Sequence, residues 1–157
     1  MGPHTRHEIE RKFLVRKSRL PDLGTGARIT QGYLSRKPAV RIRIATKAGV
    51  EAAWITIKGK GSVMRPEYEY EIPVEDARGL MSMCQYTPIE KIRYEVDHGG
   101  KTWEIDEFLG PHKGLWVTEI ELSGMLEKFP LPPWAGEEVS SDPRYTNAAL
   151  CEAGKIP

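Results

Sequence analysis

Cysteine is nearly absent from this chain. Cys84 and Cys151 are the only two in 157 residues, too few for a disulfide scaffold or a thiolate metal site. Long apolar runs are missing as well. None approaches the ~18 residues that cross a bilayer, and none follows the N-terminus as a secretory leader would. A cytoplasmic setting without membrane contact is therefore the expectation. An excess of either charge is also lacking: 23 Lys and Arg face 22 Asp and Glu, a net charge of +1, so general affinity for nucleic acid is not expected. There is no internal repeat and no low-complexity tract. Aromatic and β-branched residues run along the whole chain, which excludes compositional disorder. The length suits one domain, 1–157, with a real core; residues 1–6 read as a flexible lead-in.

What the chain has in abundance is alternation. A period of two, the mark of a strand, recurs in residues 7–15, 31–35, 40–45, 54–59, 67–74, 90–96, 101–108 and 116–122. Lys47-Ala48-Gly49, Lys60-Gly61-Ser62 and His98-Gly99-Gly100 supply turns between them. One amphipathic helix is expected over 74–84, with Glu75 and Asp76 in its first turn, and a second short one over 146–152. Three prolines within 129–136 predict an extended or looped segment there. The fold class that follows is mainly β: an antiparallel sheet of about eight strands that closes into a barrel, with a few flanking helices.

The residues that alternate with the apolar ones carry the functional signal. Glu8, Glu10 and Lys12 share one face of the first strand. Arg41 and Arg43, Lys58, Arg65 with Glu67, Glu69 and Glu71, Lys91 and Arg93, Glu104 and Asp106, and Glu119 and Glu121 occupy the same alternate positions in later strands. An ordinary sandwich with a wet face explains any one strand. It does not explain like charges repeated at i and i+2 in strand after strand, since such neighbours repel. A cavity built to hold polyanions and metal ions does. Seven cations and nine acids occupy these positions, and a triphosphate adds roughly four more negative charges. Hard divalent ions, Mg²⁺ or Mn²⁺, suit the resulting carboxylate excess.

The spelling of the motifs then becomes specific. EIERK (8–12) resembles the ExExK signature of the CYTH superfamily, the triphosphate tunnel metalloenzymes. QGYLS, VRIRI, ITIKG, EYEYEI, IEKIRY, WEIDEF, TEIEL, PPWAGEEV and DPRYTNAAL continue the likeness in order over about residues 7–151. Length and the C-terminal tail look most like the small bacterial inorganic triphosphatases. The resemblance implies an eight-stranded β tunnel with a charged lumen and metal-dependent cleavage of inorganic triphosphate to pyrophosphate and phosphate. It implies catalytic roles for Glu8, Glu10, Lys12, Tyr33 and Lys58. Phosphate binding would fall to Lys12, Arg41, Arg43, Lys58, Arg65, Lys91 and Arg93. Metal binding would fall to Glu8, Glu10, Glu67, Glu69, Asp106, Glu119 and Glu121. The short terminal helix suggests that one tunnel end stands open.

Duller readings compete. Single Arg–Glu pairs on a wet face are worth under about 1 kcal/mol. Trp54, Trp103, Trp116 and Trp134 read as packing residues, Cys84 as inert, and His4, His7, His98 and His112 as surface residues. A class IV-type adenylyl cyclase and a thiamine triphosphatase share the charged tunnel, but no base-binding pocket or aromatic mouth is visible. A non-catalytic polyphosphate or nucleotide-binding module would not need both acidic pairs. A homodimer would cover an apolar outer strip.

Overall fold

The computed structural model describes residues 5–157. Residues 1–4 of the expected lead-in lie outside that range. Thr5 and Arg6 are not lead-in at all, because they pair in register with Tyr68 and Glu67. Eight strands build the wall: β1 (Thr5–Val15), β2 (Ala27–Arg36), β3 (Ala39–Lys47), β4 (Val50–Lys58), β5 (Met64–Ile72), β6 (Gln85–His98), β7 (Lys101–Phe108) and β8 (Trp116–Glu121). They pair antiparallel in the order β5-β4-β3-β2-β6-β7-β8-β1, and β1 pairs again with β5, so the sheet closes.

Local chemistry explains the connections. Ala48-Gly49 and Gly99-Gly100 all have positive φ, the pair of left-handed residues that a two-residue hairpin requires. Beyond Ile9, β5 leaves β1. A ninth strand, β9 (Ala135–Glu138), takes over that edge opposite Phe13 and Val15. It begins where the prolines of the 129–136 segment stop, since each proline would remove a ladder donor. Helix α1 (Val74–Met81) ends three residues earlier than its periodicity suggests. There the chain turns to bring Cys84 beneath Gly32, where a Cβ would stand only 2.9 Å from Sγ.

Apolar burial lies mainly outside the barrel. Ile9, Phe13, Trp103, Ile105 and Ile120 are covered by the segment that carries Phe129 and Trp134. Ile42 and Ala53 are covered by α1 through Ala77. Each such large side chain contributes about 1.5–3 kcal/mol. A third apolar cluster sits inside the barrel, at one end. Tyr33, Ile89, Phe108 and Val117 pack there on Leu150 and Cys151 of helix α2 (Asn147–Ala153). Thr146 caps α2, its Oγ1 accepting from the Ala149 N–H at 3.1 Å.

Candidate active site

Strict alternation sends every second side chain into the lumen. At mid-height these are the charged residues. A cavity of about 210 Å³ is lined by Glu8, Glu10, Arg41, Arg43, Lys58, Glu67, Glu69, Arg93, Glu104, Glu119 and Glu121, with Asn147 the one neutral side chain. One step deeper the inward positions turn apolar, at Leu14, Tyr33, Ala39, Ile89, Phe108 and Val117, and α2 is seated on them. The tunnel therefore has a hydrophobic floor. The expectation of an open end is corrected. Although α2 has only seven residues, burial of Leu150 and Cys151 anchors it.

Cations and carboxylates interleave around the wall. Lys58 Nζ lies 2.8 Å from Glu8 Oε2 and 3.5 Å from Glu67. Arg65 reaches Glu8 and Glu10 at 3.7 and 3.6 Å. Arg41 donates to Thr56 Oγ1, which in turn donates to Glu69. Arg43 donates twice to Gln31 Oε1. The Arg93 fork meets both oxygens of Asp106 at 2.7 and 2.8 Å, and its third nitrogen meets Glu104 at 2.9 Å. Two lysines touch the floor: Lys12 Nζ donates to the Tyr145 carbonyl at 2.9 Å, and Lys91 Nζ to Asn147 Oδ1 at 3.3 Å.

Burial and neighbouring charges together set the protonation of these groups. Lys91 has no exposed surface; desolvation pushes its ammonium down to about 7 even though Asp106 Oδ2 is 2.8 Å away. Burial also drives Asp106 toward neutrality, but Arg93 and Lys91 outweigh it and hold the carboxyl well below its ordinary range. Burial opposes the charge on Lys12 too, yet Glu119 and Glu10 raise it above its ordinary value. Glu104 is raised, first by burial. Tyr33 is raised by burial against the pull of Arg41 and Arg43.

Residues 6–147 match the CYTH domain family. The chain belongs to that family. It is 42% identical over 147 residues to an inorganic triphosphatase of Acetivibrio thermocellus, covering 91% of this chain and 92% of that protein. It is 36% identical to an inorganic triphosphatase of Nitrosomonas europaea, over 91% of this chain and 95% of that one. A solved inorganic triphosphatase structure superimposes with a TM-score of 0.64 at 34% identity, covering 96% of this chain and 99% of the other.

In this CYTH barrel every candidate picked from sequence stands on an inward position. Asp106, Glu67 and Glu69 are engaged there by Arg93 and Lys91, by Lys58, and by Thr56 and Arg41. Further inward residues lie outside the set that the charge alternation marks, among them Gln31, Asn147, Glu95 and Trp54. Gln31 and Asn147 are neutral and carry no charge pattern. Glu95, opposite Glu104, sits in a strand whose lysine and arginine dominated the reading. Trp54 stands between Arg43 and Glu71 on the side of Thr56 and Lys58, so it is an inward residue and not only a packing one. His112 is also corrected. It is buried, with Nε2 2.6 Å from the Leu150 carbonyl, because the turn that carries it folds against α2.

CYTH carboxylates raise the question of a divalent ion. Among the described residues no three of His, Cys, Asp and Glu stand close enough to form a preformed metal cage. The donor chemistry nonetheless fits a hard cation. Glu10 and Glu121 face each other directly across β1 and β8, like charges that repel, with Arg65 3.6 Å from Glu10. Glu119 Oε1 is buried, accepts no hydrogen bond, and meets Lys12 only at 3.4 Å. Glu10, Glu119 and Glu121 would hold such an ion, with waters and substrate oxygens as its remaining ligands.

Proposed function

We propose that this protein is a metal-dependent inorganic triphosphatase that cleaves triphosphate to pyrophosphate and phosphate in the tunnel. The observation that carries this reading is the closed lumen, which mixes cations and carboxylates and ends on an apolar floor. It suits a short, fully charged chain of phosphates and offers nothing to an apolar ligand.

Arg41, Arg43, Lys58, Arg65, Lys91, Arg93 and Lys12 clamp the phosphate oxygens in this reading, arginine wherever two parallel contacts can form. Asp106, Glu67 and Glu69 hold those cations at their stations. Glu10, Glu119 and Glu121, with Glu8 beside them, hold the metal. A bound Mg²⁺ or Mn²⁺ supplies charge neutralisation at the reacting oxygens and a more acidic water. The chain's own work is positioning: phosphoryl transfer asks for alignment and neutralised oxygens more than for covalent help. Tyr33, with Arg41 and Lys58, lines the small cavity where the clamp meets the floor, and closes the deep end at which the phosphate chain stops. A cytoplasmic location belongs to the same reading; no helix among the described residues is long and apolar enough to cross a membrane.

The test is phosphate release from inorganic triphosphate, ATP and thiamine triphosphate, each with Mg²⁺, Mn²⁺ or a chelator. Trp54 near the open end is the reason to include the two organic triphosphates, since a ring could stack on it. Metal-dependent turnover strongest on inorganic triphosphate, lost in Glu10→Gln and Glu119→Gln, is expected. Cyclic AMP and pyrophosphate from ATP would make the protein a cyclase, and tight binding without product would make it a binding module.

A further inference from the structure

A tunnel with a floor has one open end, and beside the floor only a groove of about 160 Å³ along Glu10, Lys12 and Ser140. α2 seals the other end: the space left among Tyr33, Arg41, Lys58 and Asn147 is about 40 Å³, room for little more than a water molecule. A chain that enters by the open end goes in terminus first, and whatever exceeds the depth of the clamp then lies in that end. The charge there is opposite to that of the clamp. A hollow of about 400 Å³ lies between Glu95, Glu104 and Glu121, and its one lysine, Lys101, is ion-paired to Glu127. Glu104 faces Arg93, which Asp106 already shares. Glu95 is exposed and makes no ion pair among the described residues. Asp97 follows two residues on, still on the inward side, and accepts from Thr102 Oγ1 at 3.0 Å.

We propose that Glu95 and Asp97 form an acidic collar that makes this tunnel selective for short phosphate chains. Phosphates that fit within the clamp never meet the collar. Each further phosphate of a longer chain lies beside the Glu95 and Asp97 carboxylates, beyond the cations of the clamp. Glu95 is the specificity-determining residue of the pair, because Asp97 lies at the strand's outer end. The inference rests on the triphosphatase reading and adds the limit on substrate length.

The experiment compares the metal-loaded wild type with Glu95→Gln, Glu95→Lys and an outward control, Glu107→Lys, on inorganic triphosphate and on a long linear polyphosphate. Rates and protection from thermal unfolding are both read. Wild type is expected to favour triphosphate. Glu95→Gln should raise the long-chain to triphosphate ratio of kcat/KM by about threefold and Glu95→Lys by about tenfold at low salt, with the gap closing at high salt, as for exposed charges. Triphosphate turnover should hold in both, and Glu107→Lys should leave the ratio alone. A wild type that takes long chains as readily as triphosphate overturns the inference. So does an unchanged ratio in both Glu95 variants, which would route the excess chain through the groove beside Glu10, Lys12 and Ser140. An equal effect of Glu107→Lys overturns it too, by reducing it to net charge. If wild type hydrolyses nothing, the triphosphatase reading fails while the same ratio, read from thermal protection, still decides the collar.

Discussion

Lys91 shows what the barrel does to a single side chain. Fully buried and pushed down to about 7, it holds its proton less firmly when folded than in the unfolded chain, where a lysine titrates near ~10.4. Between those values the unfolded state binds the extra proton, so the Lys91 contribution to stability rises with pH, by at most about 1.4 kcal/mol per pH unit. Wild type should therefore gain stability relative to Lys91→Met as pH is raised from about 7 to about 10. Denaturant midpoints of the two proteins across that range test it, and parallel curves would refute it. The presence of Lys91 on an inward face was legible in the sequence, since it shares the parity of Arg93. Its environment was not. The two things that set it, Asp106 on the neighbouring strand and Asn147 on a helix more than fifty residues away, meet only through tertiary closure.

At the scale of elements, α2 is the part most easily misjudged. Its seven residues are too few to be stable alone, and a short terminal helix reads as peripheral. The signal that it is a floor was nonetheless in the strands. Four inward rows change from charged to apolar at one end: Lys12 to Leu14, Lys91 to Ile89, Asp106 to Phe108, Glu119 to Val117. An apolar ring inside a charged tunnel has to be covered, and no other helix remains to cover it. Leu150 is the main anchor, so Leu150→Ala should cost about 2–5 kcal/mol, measured by chemical denaturation. Because Lys12 and Lys91 rest on the residues just before and at the start of α2, the same variant should also raise KM for triphosphate. A stability loss with KM unmoved would separate the floor from the clamp. His112 belongs to this element as well. A histidine in a Gly-Pro turn looks exposed in sequence, and only the packing of that turn on the Leu150 carbonyl buries it.

The charge of the whole lumen gives the molecule its order of binding. Seven cations and nine acids were counted on inward positions in sequence, and the structure places Glu95 and Asp97 on the same side. A net negative tunnel does not attract a free polyanion; it attracts a divalent cation first and a phosphate chain afterwards. Mg²⁺ or Mn²⁺ alone should therefore raise the melting temperature over that in chelator. A ligand at a hundred times its Kd adds about 2.7 kcal/mol, and each kcal/mol is worth roughly 2–4 °C for a chain of this size. Triphosphate in chelator should shift the melting temperature little, and metal with triphosphate should shift it most. Glu119→Gln should erase the metal shift; because Glu119 also faces the buried Lys12 ammonium at 3.4 Å, each protein in chelator serves as its own baseline. If triphosphate alone stabilises the wild type as strongly as the two together, the cations govern the lumen without help. The carboxylates would then be props for lysine and arginine, and the metal would have no place among Glu10, Glu119 and Glu121.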